Sequence, residues 1–136
     1  MIGRRLLGAA IRTLGPEKGR EWTYLGALCQ AGTEDGVDIT CFVLRENSLE
    51  VFIPDEDSRF LLADAVMETR EMMFEEHGTP RFRSCLVLIR GVDETSRKHF
   101  SYTEVPGWGD ILADVPDKKS LFDRVFDWSP AGGEQS

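Results

Sequence analysis

The stretch VDITCFVLRENSLEVFI, residues 37–53, decides the fold. It contains two runs in which the side chains alternate between two faces, Val37 to Val43 and Leu49 to Ile53, and the polar connection Glu46 to Ser48 lies between them. A period of two is typical of a β-strand, and a short polar connection between two such runs is typical of a hairpin. The stretch therefore predicts two antiparallel strands.

A third strand, Trp22 to Gln30, is predicted just before this hairpin. Its residues divide between two faces, with Trp22, Tyr24 and Leu28 on one and Leu25, Ala27 and Cys29 on the other. The turn-like segment Gly32 to Gly36 connects it to Val37. Three consecutive strands with short connections predict an antiparallel meander.

Helices are predicted on both sides of the meander. Apolar residues recur at helical spacing from about Gly3 to Leu14, and Gly15 with Pro16 ends that first helix. After Pro54, the acidic residues 55–57 supply negative charge at the start of a second, long helix. Its apolar face consists of Leu62, Ala65, Val66, Thr69, Met72 and Met73, and its opposite face of Asp64, Glu68, Glu71 and Glu75. Gly78 and Pro80 end this helix, which should cover the sheet.

The last third of the chain predicts a second hairpin and a short helix. Cys85 to Ile89 is continuously apolar, as in a central strand, and the polar stretch Val92 to Lys98 turns the chain. Phe100 to Thr103 alternates as the returning strand, and apolar residues between Leu121 and Phe126 suggest the terminal helix. We therefore expect one α+β domain over residues 1–128, a single antiparallel sheet with helices packed on it, and a disordered tail over 129–136.

Composition narrows the class of protein. The 136 residues are 41% hydrophobic and 29% charged, as in ordinary globular domains. Acidic residues outnumber basic ones by 24 to 16, and a net charge of −8 disfavours nucleic-acid binding. No apolar run approaches the roughly 20 residues of a membrane-spanning helix. Cys29, Cys41 and Cys85 are predicted to be free core thiols, which fits the cytoplasm.

Catalytic and metal-binding motifs are not recognisable. His77 and His99 have no second ligand at metal-site spacing, so no metal or cofactor is expected. Ser84 beside Cys85 is the nearest candidate nucleophile, but it lacks the glycine-flanked context of known motifs. The many carboxylate pairs are better explained as solvated helix surfaces than as acid-base pairs. The chain is therefore expected not to be an enzyme.

Two features predict a protein-binding surface instead. One is the acidic face at Asp64, Glu68, Glu71 and Glu75, which suits a basic partner. The other is the loop Pro106 to Asp110, in which Trp108 is either an interface anchor or a cap on the sheet. The same two alternatives apply to Trp128. The candidate contact residues are the four carboxylates together with Trp108 and Asp110.

The order of elements, with Pro16 and Trp22 after the first helix, the acidic helix Phe60 to His77 and the Phe100-Ser101-Tyr102 strand, resembles the YezG-like immunity protein family of bacteria. The resemblance covers about Leu6 to Val105. Phe82 stands where the family would have a tryptophan, and the segment after Gly107 departs from the family. The resemblance implies an intracellular protein that binds and neutralises a cognate secreted toxin, often a nuclease, and it implies no catalytic residues.

Two other classes remain open from sequence. A secretion chaperone is also small, acidic and α+β, and it binds client segments through an apolar groove, usually as a dimer. A monomer in solution would argue against that class. A small enzyme would require a pocket in which a buried carboxylate lies near a histidine. The oligomeric state and the identity of the partner are not predicted.

Overall fold

The computed structural model describes residues 4–14, 21–31, 36–78, 80–102, 111–112 and 115–127. The elements in chain order are α1 (Arg4–Leu14), β1 (Tyr24–Ala31), β2 (Val37–Arg45), β3 (Ser48–Phe52), α2 (Glu56–His77), β4 (Ser84–Arg90), β5 (Ser96–Ser101) and α3 (Lys118–Phe126). This order confirms the predicted α+β fold. The expected tail at 129–136, Trp108, Asp110 and Trp128 lie outside the described residues.

The strands form one antiparallel sheet of five strands in the order β3-β2-β1-β4-β5. β1 is the central strand and pairs on both sides, with Tyr24 opposite Leu44 of β2 and opposite Arg90 of β4. The predicted meander and the predicted second hairpin are therefore joined through the pairing of β1 with β4. The hairpins on either side then place β3 and β5 at the two edges.

Helices cover both faces of the sheet. On the first face, α1 and α2 pack over the odd-numbered residues of β1 and over their neighbours in β2 and β4. This core contains Leu6, Ala10, Leu14, Leu25, Ala27, Cys29, Cys41, Val43, Leu62, Ala65, Val66, Met73, Phe82, Cys85, Val87 and Ile89. On the second face, α3 packs over the even-numbered residues of β1. That core contains Tyr24, Leu28, Phe42, Leu44, Leu86, Leu88, Ile111, Leu121, Phe122, Val125 and Phe126.

Both ends of α2 follow from local chemistry. The side chain of Asp55 accepts a hydrogen bond from the Ser58 N–H at 3.0 Å, which is an N-cap contact. Gly78 adopts a left-handed conformation with φ of 63°, and its N–H donates to the Phe74 carbonyl. A glycine is favoured at such a C-terminal position because a Cβ would be strained there. The predicted end of the helix at Gly78 is confirmed.

Two local predictions were wrong. β5 begins at Ser96, within the polar stretch that was assigned to the turn, because Arg97 and Lys98 lie at an edge of the sheet where charged side chains reach water. Trp22 was placed on the same face as Tyr24, but it precedes β1 and packs against the core beneath α1 and α2. Alternation continues only as far as the strand itself.

The second core links distant parts of the chain. The Tyr24 hydroxyl donates a hydrogen bond of 2.6 Å to Asp123 of α3, and the Tyr24 ring lies 5.5 Å from that of Phe122. At the tip of the β2–β3 hairpin, the Asn47 side chain donates to the Pro116 carbonyl at 2.6 Å and accepts from the Lys119 N–H at 3.1 Å. These contacts hold α3 against a sheet whose strands all precede it in the chain.

Gly26 makes this second core possible. A Cβ at Gly26 would overlap the Phe42 ring and approach Leu88 within 2.9 Å. The Phe42 ring in turn lies edge-on to Phe122 at 5.7 Å. The absence of a side chain at position 26 therefore gives the phenyl ring room to lie across β1.

We predict opposite effects of the same substitution at two glycines. Gly26→Ala should lower the free energy of unfolding by about 1–3 kcal/mol, because it overpacks the core. The matched control is Gly8→Ala in α1, where a Cβ meets nothing within 4 Å. It should raise the free energy of unfolding by about 0.5–1 kcal/mol, because alanine favours helix. Urea unfolding of both variants measures this, and a neutral Gly26→Ala would contradict the packing argument.

Candidate functional site

The outward face of α2 carries the predicted acidic residues. The helix buries Leu62, Ala65, Val66, Thr69 and Met73 against the sheet and α1, and this leaves the opposite side facing water. Within the α2 sequence EDSRFLLADAVMETREMMFEEH, seven carboxylates stand against two arginines. The helix is therefore both the main cover of the first core and the most acidic element of the fold.

The four predicted carboxylates differ in their partners. Glu68 forms an ion pair with Arg5 of α1, and Glu71 forms a bidentate pair with Arg81 at 2.6 and 2.8 Å. The hydrogen bond from Arg81 lowers the pKa of Glu71 below its usual value. Asp64 and Glu75 are exposed, and neither forms an ion pair or a side-chain hydrogen bond within the described part of the chain. Asp64 and Glu75 are therefore the carboxylates of this face that are open to a partner.

Aromatic side chains lie among these carboxylates. Phe60 is 61% exposed, and Leu61 and Phe74 are more than one third exposed. The guanidinium of Arg81 stacks over Phe74 at 4.0 Å from the ring centre. Sequence reasoning missed Phe60 because it looked only for charge on this face. The available signal was spacing, since Phe60 precedes Asp64 by one helical turn and so shares its face.

We call the outward residues Phe60, Asp64, Glu68, Glu71, Phe74 and Glu75 the α2 surface. It combines exposed rings, which can be buried by a partner, with carboxylates that a partner's arginines or lysines can bind. Trp108 and Asp110, the other two predicted contact residues, lie outside the described residues. The described residues therefore include the acidic face but not the tryptophan loop.

Polar side chains also meet inside the molecule. Ser84 on β4 and His99 and Ser101 on β5 are buried on the sheet face that α3 covers, with Ser84 directly opposite Ser101 and diagonal to His99. Among the described residues, Ser84 Oγ and His99 Nε2 have no hydrogen-bond partner. The sequence separates Ser84 from His99 by a strand and a turn, so only the register of the hairpin reveals that they are neighbours.

This buried group does not form a nucleophile–base pair. Because Ser84 Oγ and His99 Nε2 are both without a partner, they do not bond to each other, whereas an activated serine donates to its base. The backbone of Val125 and Phe126 at the end of α3 raises the pKa of His99, but this effect is smaller than that of burial. Burial lowers the pKa of His99 below its ordinary value, and Arg97 lowers it further. The neutral form of His99 is therefore favoured, and the residue is buried on the α3 side of the sheet.

The cysteines are core residues, as predicted. All three are free and buried, and Cys29 lies directly opposite Cys85 in the β1–β4 pairing. Burial raises the pKa of Cys41 to about 11 and that of Cys85 to about 12, so both remain unreactive thiols near neutral pH. In the described residues, no three His, Cys, Asp or Glu side chains form a group that could hold a metal ion.

Comparison with known proteins adds no relative. No protein-family model matches this chain, and a search of curated proteins gives no match. The resemblance to YezG-like immunity proteins therefore stays a prediction. Among the described helices, none has the length and apolar content that crossing a bilayer requires.

His99 predicts a pH dependence of stability. Its pKa is lowered in the folded protein, so the unfolded chain takes up a proton first as the pH falls through about 6.5. The free energy of unfolding should therefore fall between about pH 7.5 and pH 5.5, a window above the range in which carboxylates titrate.

His99→Gln should show a smaller loss across this window, because glutamine takes up no proton. Urea unfolding of both proteins at the two pH values measures the difference. His77 is common to both proteins and cancels in the comparison. An equal loss in the wild type and the variant would contradict a buried neutral imidazole.

Proposed function

We propose that this protein is a non-catalytic binding module whose α2 surface contacts a basic protein, and that it acts as an immunity protein that neutralises a bacterial toxin inside the cell. The observation that carries the proposal is the α2 surface itself, where the open carboxylate of Asp64 lies one helical turn from the exposed ring of Phe60, and the open carboxylate of Glu75 follows the exposed ring of Phe74. The resemblance in element order supports the toxin-binding class, and the acidic surface supports a basic partner.

The charge of the chain supports fast capture. A protein of net charge −8 with an acidic helix attracts a basic surface over a distance of about 10 Å at moderate salt, and this steering accelerates association. A nuclease must bind phosphate and therefore exposes such a surface. A row of carboxylates can occupy the positions where phosphate groups would bind, which gives inhibition without any chemical step.

Affinity requires more than charge. Exposed ion pairs contribute about 0–1 kcal/mol each, whereas a buried aromatic anchor can contribute 2 kcal/mol or more, on the order of a hot spot. Phe60 is the most exposed aromatic side chain among the described residues and lies one turn before Asp64. We therefore infer that the carboxylates increase the association rate and that Phe60 lowers the dissociation rate of the complex.

The charge prediction uses a matched pair of double variants. Asp64→Lys with Glu75→Lys reverses the two open carboxylates of the α2 surface, and Asp38→Lys with Glu46→Lys makes the same change in net charge on β2 and its turn. The first should lower the association rate with the toxin at least tenfold at low salt, and the second should lower it less. Stopped-flow measurements at several salt concentrations test this.

The partner for these measurements comes from the native host. Tagged wild type and both double variants are used as baits, and the retained proteins are identified by mass spectrometry. We expect a folded, basic toxin domain on the wild type and on the β2 variant, and little of it on the α2 variant. Retention of an unfolded client segment would support the chaperone class instead. Recovery of only a small metabolite would overturn the proposal.

Phe60→Ala tests retention separately. It should raise the dissociation rate about tenfold or more and leave the association rate nearly unchanged, because hot-spot truncation acts mainly on dissociation. The matched control is Phe74→Ala, whose ring is partly covered by Arg81 and should contribute less. Surface plasmon resonance with the toxin gives both rates. Equal effects at the two positions would contradict the role of Phe60 as the anchor.

A further inference from the structure

The two edges of the sheet differ in character. β5 carries Arg97 and Lys98 in its centre, and charged side chains discourage another strand from pairing there. β3 has the sequence SLEVF with a single charge, Glu50, whose Oε2 lies 3.5 Å from Arg45 Nε of the neighbouring strand. β3 is therefore the less charged of the two edges.

Apolar side chains are exposed along this same edge. Val51 within β3 is 61% exposed, and Ile53 directly after it is 85% exposed. Val51 lies opposite Phe42, which belongs to the core beneath α3, so it is on the α3 side of the sheet. Exposed β-branched residues on an unpaired edge are typical of a surface that another strand covers.

The geometry of the hairpin determines which backbone groups of β3 are open. β2 and β3 are joined by the two-residue turn Glu46–Asn47, and Arg45 lies opposite Ser48. Such a turn is closed by a hydrogen bond between its flanking residues, and bonded positions then alternate along the ladder. Ser48, Glu50 and Phe52 thus bond to β2. The N–H and C=O groups of Leu49 and Val51 point away from the sheet.

We propose that β3 pairs antiparallel with β3 of a second copy of this chain, with the two-fold axis at Val51. Val51 then lies opposite its own copy, Leu49 lies opposite Ile53 of the partner subunit, and Glu50 lies opposite Phe52 of the partner subunit. The pairing joins two sheets into one and covers Val51 and Ile53 with apolar side chains.

The axis at Val51 is favoured over the axes at the neighbouring residues Glu50 and Phe52. An axis at Glu50 would place two carboxylates directly opposite each other, which destabilises a strand pair. An axis at Phe52 would leave fewer pairs, because β3 ends close to this axis and Pro54 follows it. The axis at Val51 avoids both costs. It also gives each strand one apolar row, Leu49, Val51 and Ile53, facing the same row of the other copy.

The size of the contact sets its strength. A pair of five-residue strands buries less surface than the roughly 1,200–2,000 Å² of a standard stable interface. The dimer should therefore depend on concentration, with a dissociation constant in the micromolar range or weaker. The α2 surface takes no part in this pairing, so the dimer is independent of the proposed function.

Sedimentation velocity of the full chain from about 1 µM to about 1 mM tests the dimer. The wild type should shift from monomer to dimer with concentration. Val51→Lys places two ammonium groups at the axis and should weaken dimerisation at least tenfold. Val92→Lys makes the same change at a valine that is 88% exposed in the β4–β5 turn, and it should dimerise like the wild type. A wild type that stays monomeric, or equal behaviour of the two variants, overturns the proposal.

Cysteine cross-linking tests the register. In Val51→Cys the two introduced residues would have Cα atoms about 5.5 Å apart, which is within disulfide range, so oxidation should give a covalent dimer. In Ser48→Cys the two copies would be about 20 Å apart and should not cross-link. The native cysteines are buried and do not interfere. Equal cross-linking of both variants overturns this register. If the wild type is a monomer and Val51→Lys abolishes toxin binding, then the β3 edge binds the toxin. That result would overturn the proposed dimer.

Discussion

The pairing of β1 on both sides is the constraint on which the rest of the structure depends. Its residues pair with β2 from Tyr24 to Ala31 and with β4 from Tyr24 to Gln30, so one strand fixes the register of the whole sheet. A shift by one residue would exchange its two faces and place Tyr24 beneath α1 and α2. The two cores therefore specify the register together, because each accepts a different set of side chains.

Much of the fold was predictable from local pattern. The period-two alternation in residues 37–53 predicted the antiparallel β2–β3 hairpin, and the spacing from Leu62 to Met73 predicted α2 with its buried face. Glycine and proline marked the end of α2 correctly at Gly78. These features depend on neighbours in the sequence, and local propensity is enough to determine them.

What could not be predicted depends on contacts between distant residues. Nothing near β1 in the sequence shows that it pairs with β4, and nothing in α3 shows that it covers the opposite face of the sheet from α2. For the same reason, sequence reasoning considered Ser84 and His99 separately and did not see that they share a face. At the α2 surface, the acidic row was predictable from spacing. The ion pairs that distinguish Glu68 and Glu71 from Asp64 and Glu75 come from α1 and from the segment after α2.

The position of α3 in the chain has a consequence during synthesis. Every strand of the sheet is translated before the apolar residues of α3. A growing polypeptide can therefore form its meander while Tyr24, Phe42 and Leu88 are still exposed to water. Transiently exposed apolar surface of this kind attracts other nascent chains. A chain whose synthesis ends before α3 would therefore expose this apolar surface and be prone to aggregate. Cellular quality control should recognise such fragments more readily than the complete protein.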